Sequence, residues 1–223
     1  MNRKGLWVVI DGIDAVGKTT QVGLIADQSS IDNIPIVLLP EFSNSAIGET
    51  IRRILTTQRF YSLDFSKTTP LADTVHLLSD MLFSYEKVTV PEITKGSIVL
   101  SDRGPLSFFG YQSVRVAKRS ARGLSLSSAA EWVGKLVEHS YLLPDLTIVL
   151  DIPNSELNRR VVLRGENELE ESELCFLNEV NSLMKKNTNL FSKKSVIIDG
   201  IRSAKETSDL IITEIRSLLK LIT

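Results

Sequence analysis

Residues Gly12-Ile13-Asp14-Ala15-Val16-Gly17-Lys18-Thr19 match the pattern G-x-x-x-x-G-K-[ST] without a mismatch. They follow an apolar run at Leu6 to Ile10 and open a stretch of helical spacing from Lys18 to Gln28. A strand, a glycine-rich turn and a helix in that order dictate how the chain enters its sheet. Glycines let backbone N–H groups curl around an anion, the helix N-terminus adds its dipole, and Lys18 brings a full charge to the outer phosphates. The backbone from Gly12 through Thr20, with Asp14, Ala15, Val16 and Gly17 between, is therefore expected to cradle a nucleoside triphosphate. The hydroxyl of Thr19 is expected to hold magnesium.

The rest of the chain alternates in the same way. Short Val, Ile and Leu runs recur at Ile36 to Leu39, Ile98 to Leu100, Leu146 to Leu150 and Val196 to Ile198. They are apolar without alternation, as strands covered on both faces require. Four of the runs end in polar or acidic residues, Asp11, Ser101-Asp102, Asp151 and Asp199, and ligands of open parallel sheets sit beyond such ends. Helical spacing predicts helices at Lys18 to Gln28, Ala46 to Thr57, Ala72 to Val88, Ser127 to His139, Ser155 to Arg164, Glu171 to Asn187 and Ala204 to Ile222. In the last, Leu210, Ile211, Ile215, Leu218, Leu219 and Ile222 form a stripe expected to pack on the sheet.

Composition narrows the function classes. At 223 residues the chain suits one domain, residues 1–223, with a flap laid over it. A hydrophobic content of 43% supports a sizeable core and excludes disorder as the main state. The net charge of -1 gives no general field for a nucleic-acid backbone, so no nucleic-acid partner is expected. The single cysteine, Cys175, permits no internal disulfide and suits a reducing, cytoplasmic setting. The run after Arg3 and Lys4 is too short for a signal peptide, and no apolar stretch reaches the ~20 residues that cross a bilayer.

Asp102-Arg103 stands just beyond the strand at Ile98 to Ser101, which brings an acid and a cation to the same sheet edge as the phosphate loop. The carboxylate suits magnesium or its waters, and the guanidinium suits a second phosphate. A plain ion pair is the alternative reading.

Taken in order, these segments resemble the thymidylate kinase family of nucleoside monophosphate kinases. Val9 to Gln21 looks like the family's phosphate loop, with Asp at the position of Asp14. Ile47-Gly48-Glu49-Thr50-Ile51-Arg52-Arg53-Ile54-Leu55 is similar to its Leu-Gly-Glu-x-Ile-Arg-x-Ile-Leu helix. Pro91, Gly96, Val99 to Arg103, Ser107 and Tyr111-Gln112 follow its spacing through its Asp-Arg motif and substrate-facing helix, as Pro144 to Asp151 and Ile198-Asp199-Gly200 follow its fourth and fifth strands. The resemblance implies an α/β P-loop NTPase fold, three-layer α/β/α with a five-stranded parallel sheet. It implies transfer of the terminal phosphoryl group of ATP, with Mg2+, to the 5′-phosphate of a deoxynucleoside monophosphate, dTMP being the favoured acceptor. Asp14 would face the acceptor's 3′-hydroxyl, Arg103 its phosphate and Tyr111 its sugar, with Glu41 and Arg52 on the acceptor side. Lys18 and Thr19 would hold the donor phosphates and the metal, Asp102 would order the metal, and two copies would pair through helices as a homodimer.

Four departures bear on the acceptor and the lid. The family's Arg-Glu-Pro after the second strand reads Pro40-Glu41-Phe42 here, and Gly104-Pro105 follows Asp-Arg where an aromatic or histidine is common. The helix that supplies a base-stacking Phe and a base-reading Arg reads His76 to Phe83, with Leu77 or Leu78 and Met81 or Leu82 at those positions. Phe83 or Tyr85 is a replacement stacking surface, or an ordinary core aromatic. The lid, about residues 160–175, sets Arg164 against Glu166, Glu168, Glu170, Glu171 and Glu173. These acids would repel a triphosphate unless they turn outward. Arg160 or Arg164 is expected to neutralise transition-state charge. Structural roles are expected for His76 and His139, Cys175 is read as a small core residue, and Ser107 lacks a triad setting. Two competing readings remain at this point: a nucleoside kinase with Glu41 as base, and a nucleotide-binding protein with little phosphotransfer.

Overall fold

The computed structural model describes residues 5–28, 30–55 and 69–221. Five parallel strands form the sheet: β1 Leu6–Asp11, β3 Ile34–Leu39, β4 Ile98–Asp102, β5 Leu146–Asp151 and β6 Ser195–Asp199. A two-residue strand, β2 Ser30–Ile31, adds an antiparallel edge, giving six strands in the order β2-β3-β4-β1-β5-β6. The sequence reading missed this edge. Its two-residue loop is Asp32-Asn33, both at positive φ (50° and 63°), the backbone that a tight hairpin of this twist requires. Every residue of β1 is buried, so both faces of the sheet are covered, and most of the buried apolar side chains form one continuous cluster.

The helices are α1 Lys18–Ala26, α2 Ala46–Leu55, α3 Pro70–Ser84, α4 Val90–Lys95, α5 Pro105–Arg119, α6 Leu126–His139, α7 Asn154–Leu163, α8 Glu171–Lys186 and α9 Ala204–Leu221. Expected ends at residues 56, 57 and 222 lie outside the described residues. The α3 helix runs on through a π turn, Tyr85–Thr89, into α4. Pro91 supplies the reason. It has no N–H to donate, and the preceding Val90 N–H reaches Tyr85 O five residues back.

The helical-spacing expectations do not include α5, which the resemblance places as a helix through Ser107 and Tyr111-Gln112. Pro105 through Val116 are all buried, where it packs against α3, α6 and α8. Two other expectations fail on helix phase. Cys175 is exposed, because α8 turns Phe176, Leu177, Val180 and Met184 inward. Leu210 is likewise exposed on α9, whose buried stripe runs through Thr207, Ser208, Ile211, Ile212, Ile215 and Leu219. No described helix is long and apolar enough to cross a membrane.

Candidate active site

The phosphate loop leaves β1 through three positive-φ residues, Gly12 (140°), Ala15 (62°) and Gly17 (107°). At Gly12 a side chain is also excluded by space, since a Cβ would lie 2.6 Å from Leu150 O. Lys18 is 6% exposed and folds back so that Nζ donates to Ile13 O at 2.8 Å. Burial, with the nearby charge of Arg103, pulls its pKa down to about 8. The Thr19 hydroxyl donates to Asp102 Oδ2 at 2.7 Å, while Asp102 Oδ1 is buried with no hydrogen-bond partner among the described residues.

That orphaned carboxylate oxygen is the observation against which a metal can be tested. Mg2+ is commonly held by one or two protein oxygens completed by substrate phosphates and water. Thr19 and Asp102 offer hard oxygens beside the loop, so the residues present fit it. A larger protein cage is not needed, and among the described residues no group of three or more His, Cys, Asp or Glu side chains is arranged as one.

Arg103 is the second cation of the site. Its backbone sits at φ 71°, held by its N–H to Ile10 O at 3.0 Å. Gly104 follows it against Val9, where a Cβ would come within 2.6 Å of a methyl carbon, and Pro105 begins α5. Thus the unusual Gly-Pro after Asp-Arg is a close approach to the central strand followed by a helix start. Asp11 accepts the N–H groups of Gly104 (3.1 Å) and Ser107 (3.3 Å), so this strand-end acid caps α5. Burial pushes its carboxyl upward.

The Arg103 guanidinium bonds Gly12 O from Nη1 (3.1 Å), pairs with Asp14 through Nη2, and pairs with Glu41 from Nε (2.8 Å). It also lies 5.0 Å from the centre of the Tyr111 ring. The Tyr111 hydroxyl accepts the Asp14 N–H at 3.0 Å. Burial works against the charge on Arg103, but Glu41 and Asp14 outweigh it and keep the guanidinium ionised. Burial likewise opposes the Asp14 charge, and Arg103 with Lys18 still draws its carboxyl below the usual range. Glu41 goes the other way, pushed up by desolvation in the cleft and by Asp14, against the pull of Arg103.

These groups line a cleft of about 370 Å3. Asp14, Glu41, Arg103 and Tyr111 stand at its polar end, while Leu77, Met81, Phe42 and Phe108 make an apolar slot into which Gln112 also faces. Gln112 is 2% exposed, with Oε1 3.1 Å from the Thr74 hydroxyl. Neither aromatic suggested as a stacking surface lines the slot. Phe83 is exposed on the outer side of α3, and Tyr85 packs on Trp7 with ring centres 5.3 Å apart. Arg52 lies behind the cleft wall, its Nη2 donating to Phe42 O and Ser43 O at 3.0 Å each. Sequence reasoning missed Asp80, 2% exposed, which accepts the Ser43 N–H at 2.9 Å.

On the opposite side, the end of α7 carries the two arginines expected in the lid. Arg160 donates from Nη1 to Val16 O (2.8 Å) and from Nη2 to Gly200 O (2.6 Å), and pairs from Nε with Glu156 (2.6 Å). Hydrogen bonds from Arg159 and Arg160 draw the Glu156 carboxyl down to about 2. Arg160 is therefore a brace between the phosphate loop and the turn after β6. Arg164 is exposed and lines both the cleft and a second pocket of about 240 Å3 beside Val16, Thr20 and Arg202. The acidic stretch is partly spent on α8. Glu170 and Glu173 form a reciprocal cap at its N-terminus, where negative charge is favourable, whereas Glu166 lines the cleft.

Comparison with known proteins places the chain in a family. A family model for thymidylate kinase matches residues 10–211. A probable thymidylate kinase of Pyrococcus horikoshii is 33% identical over 162 residues, 73% of this chain and 72% of that protein. A thymidylate kinase of Vesicomyosocius okutanii is 30% identical over 92% of this chain and 95% of its own length. One from Thermoanaerobacter pseudethanolicus is 28% identical over 97% of this chain and 100% of its own. With a phosphate loop and a second cation on one sheet edge, and matches along nearly its whole length, the chain belongs to the thymidylate kinase family.

Proposed function

We propose that this protein transfers the terminal phosphoryl group of ATP to the 5′-phosphate of dTMP, giving ADP and dTDP. The observation that carries this reading is Arg103, a half-buried cation at the polar end of the acceptor cleft, separate from the Lys18 that serves the donor. A monophosphate acceptor needs such a group, and it needs no base. Its phosphate oxygen is ionised at neutral pH, the second phosphate pKa being about 6.

In the proposed arrangement Lys18 and the loop N–H groups hold the donor phosphates, and Thr20, Val16 and Arg202 border its nucleoside. Arg103 binds the acceptor phosphate, Asp14 and Tyr111 position the sugar, and the base enters the slot beside Gln112. One acceptor oxygen forms the new P–O bond to the terminal phosphorus as the bond to the leaving ADP oxygen breaks. Arg164, bordering both pockets, neutralises charge between them. Thr19 and Asp102 would hold Mg2+, which supplies charge neutralisation at the donor phosphates when bound.

The chain is proposed to act as one domain with its lid at about residues 160–175. The exposed thiol of Cys175 fits the reducing cytoplasm. Exposed apolar residues Val75, Phe83 and Val90 along α3 and α4 support pairing of two copies through helices, which sedimentation across a concentration series tests. The activity is tested by coupled ADP release with ATP and Mg2+ against the deoxynucleoside monophosphates and thymidine. Turnover with dTMP is expected; turnover with thymidine and none of the monophosphates moves the assignment to a nucleoside kinase.

A further inference from the structure

The wall of the acceptor cleft after β3 is held from two directions. Asp80 on α3 takes its donors: Oδ2 accepts the Ser43 N–H at 2.9 Å, and Oδ1 accepts both the Ser43 hydroxyl and the Ser45 hydroxyl, the latter at 3.1 Å. Arg52 on α2 takes its acceptors, the carbonyls of Phe42 and Ser43. Ser45 closes the set by accepting the Gly48 N–H at 3.0 Å, which caps α2, while its own N–H donates to Ser43 Oγ at 3.0 Å. Gly48 leaves room for this approach, since a Cβ there would lie 2.3 Å from Ser43 O and 2.7 Å from Asp80 Oδ1. The product of the clamp is the pose of Glu41 and Phe42, which face the cleft with Glu41 on Arg103 at 2.8 Å.

A buried carboxylate is costly unless satisfied, and here its bonds go to a loop that has no ladder partners of its own. We propose that Asp80 and Arg52 are positioning residues that preform the Glu41–Phe42 wall and thereby set the affinity for the acceptor nucleotide. The inference rests on the reading of the cleft as the acceptor site. It assigns Arg52 to the wall in place of the acceptor phosphate.

The test is steady-state kinetics on the full chain with ATP and dTMP for Asp80→Ala, Arg52→Met and the double variant, beside amide hydrogen exchange at Ser43 and Ser45. Asp80→Ala is expected to raise the KM for dTMP about tenfold with the KM for ATP within about twofold of wild type. Asp80→Asn, which keeps an acceptor for the Ser43 N–H, is expected to recover part of the loss. Because both residues act through one loop, the double variant should lose less than the product of the two single effects. Exchange at Ser43 and Ser45 should accelerate in Asp80→Ala. Parallel rises in both KM values, multiplicative effects, or an unchanged KM for dTMP overturn the proposal. Should Asp80→Ala fail to fold, Ser43→Ala carries the same comparison. If the wild type phosphorylates no monophosphate the activity reading fails, and the exchange data still decide whether the clamp exists.

Discussion

The two walls of the cleft are built differently. On the acceptor side, Ser43, Asp80, Ser107, Tyr111 and Gln112 are buried, and the segment after β3 is bonded through its N–H, hydroxyl and carbonyl groups. On the lid side, Arg164 through Glu168 are exposed, Gly165 has open space where a Cβ would sit (φ 78°), and Leu169 is buried. The wall assigned to the acceptor in the proposed function is thus fixed by the protein's own hydrogen bonds, while the cation expected at the transferring group rests on a segment with few buried contacts. Segments of that kind open at low free-energy cost, and closing lids are drawn from them.

Substitutions sharpen this contrast in order of expected effect. Lys18→Ala removes the charge on the donor phosphates and should lower turnover by about 10³-fold, measured by ADP release. Arg164→Ala should reduce kcat by about 10²-fold with little change in either KM, because its partner group exists mainly in the transition state. A large rise in the KM for dTMP without loss of kcat would instead make Arg164 part of a preformed wall and erase the contrast.

A smaller effect is expected from pH. Lys18 loses its proton near pH 8 in the folded protein against an ordinary 10.5. Between those values the unfolded chain binds the extra proton, so this group makes folding more favourable as pH rises. Triphosphate binding runs the opposite way and should weaken above about pH 8 as the charge is lost. Calorimetric titration of ATP from pH 7 to pH 9.5 (about 2.5 pH units of range) checks this, and a Lys18→Met variant should be flat across it. At the small end, Cys175→Ser on the exposed side of α8 should leave kcat and both KM values unchanged and stability within about 0.5 kcal/mol.

What the sequence disclosed follows the same division between local and distant causes. The phosphate loop and the five parallel strands are written in contiguous residues, so Gly12 to Thr19 and the apolar runs were legible directly. The α5 helix was legible only through the family resemblance at Ser107 and Tyr111-Gln112, and helical spacing did not mark it, since its polar side chains from Ser107 to Arg115 are buried like its apolar ones. Cys175 and Phe83 were read from their neighbours in sequence, yet helix phase decides which way each one points. Least legible was the set joining Asp80 to Ser43, Ser45 and Arg52. Its bonds span up to 37 residues and no local spacing encodes them. The resemblance located the helices that carry it without revealing that they clamp a wall.

The central claim is that Arg103 holds a second phosphate beside the donor. Phosphorus NMR of dTMP incubated with ATP and Mg2+ tests it most directly, comparing wild type with Arg103→Met while ATP binding is measured on both. The wild type should give dTDP and ADP in equal amounts, and Arg103→Met should give almost no dTDP while still binding ATP. Absence of dTDP with the wild type, or undiminished dTDP with Arg103→Met, would contradict it.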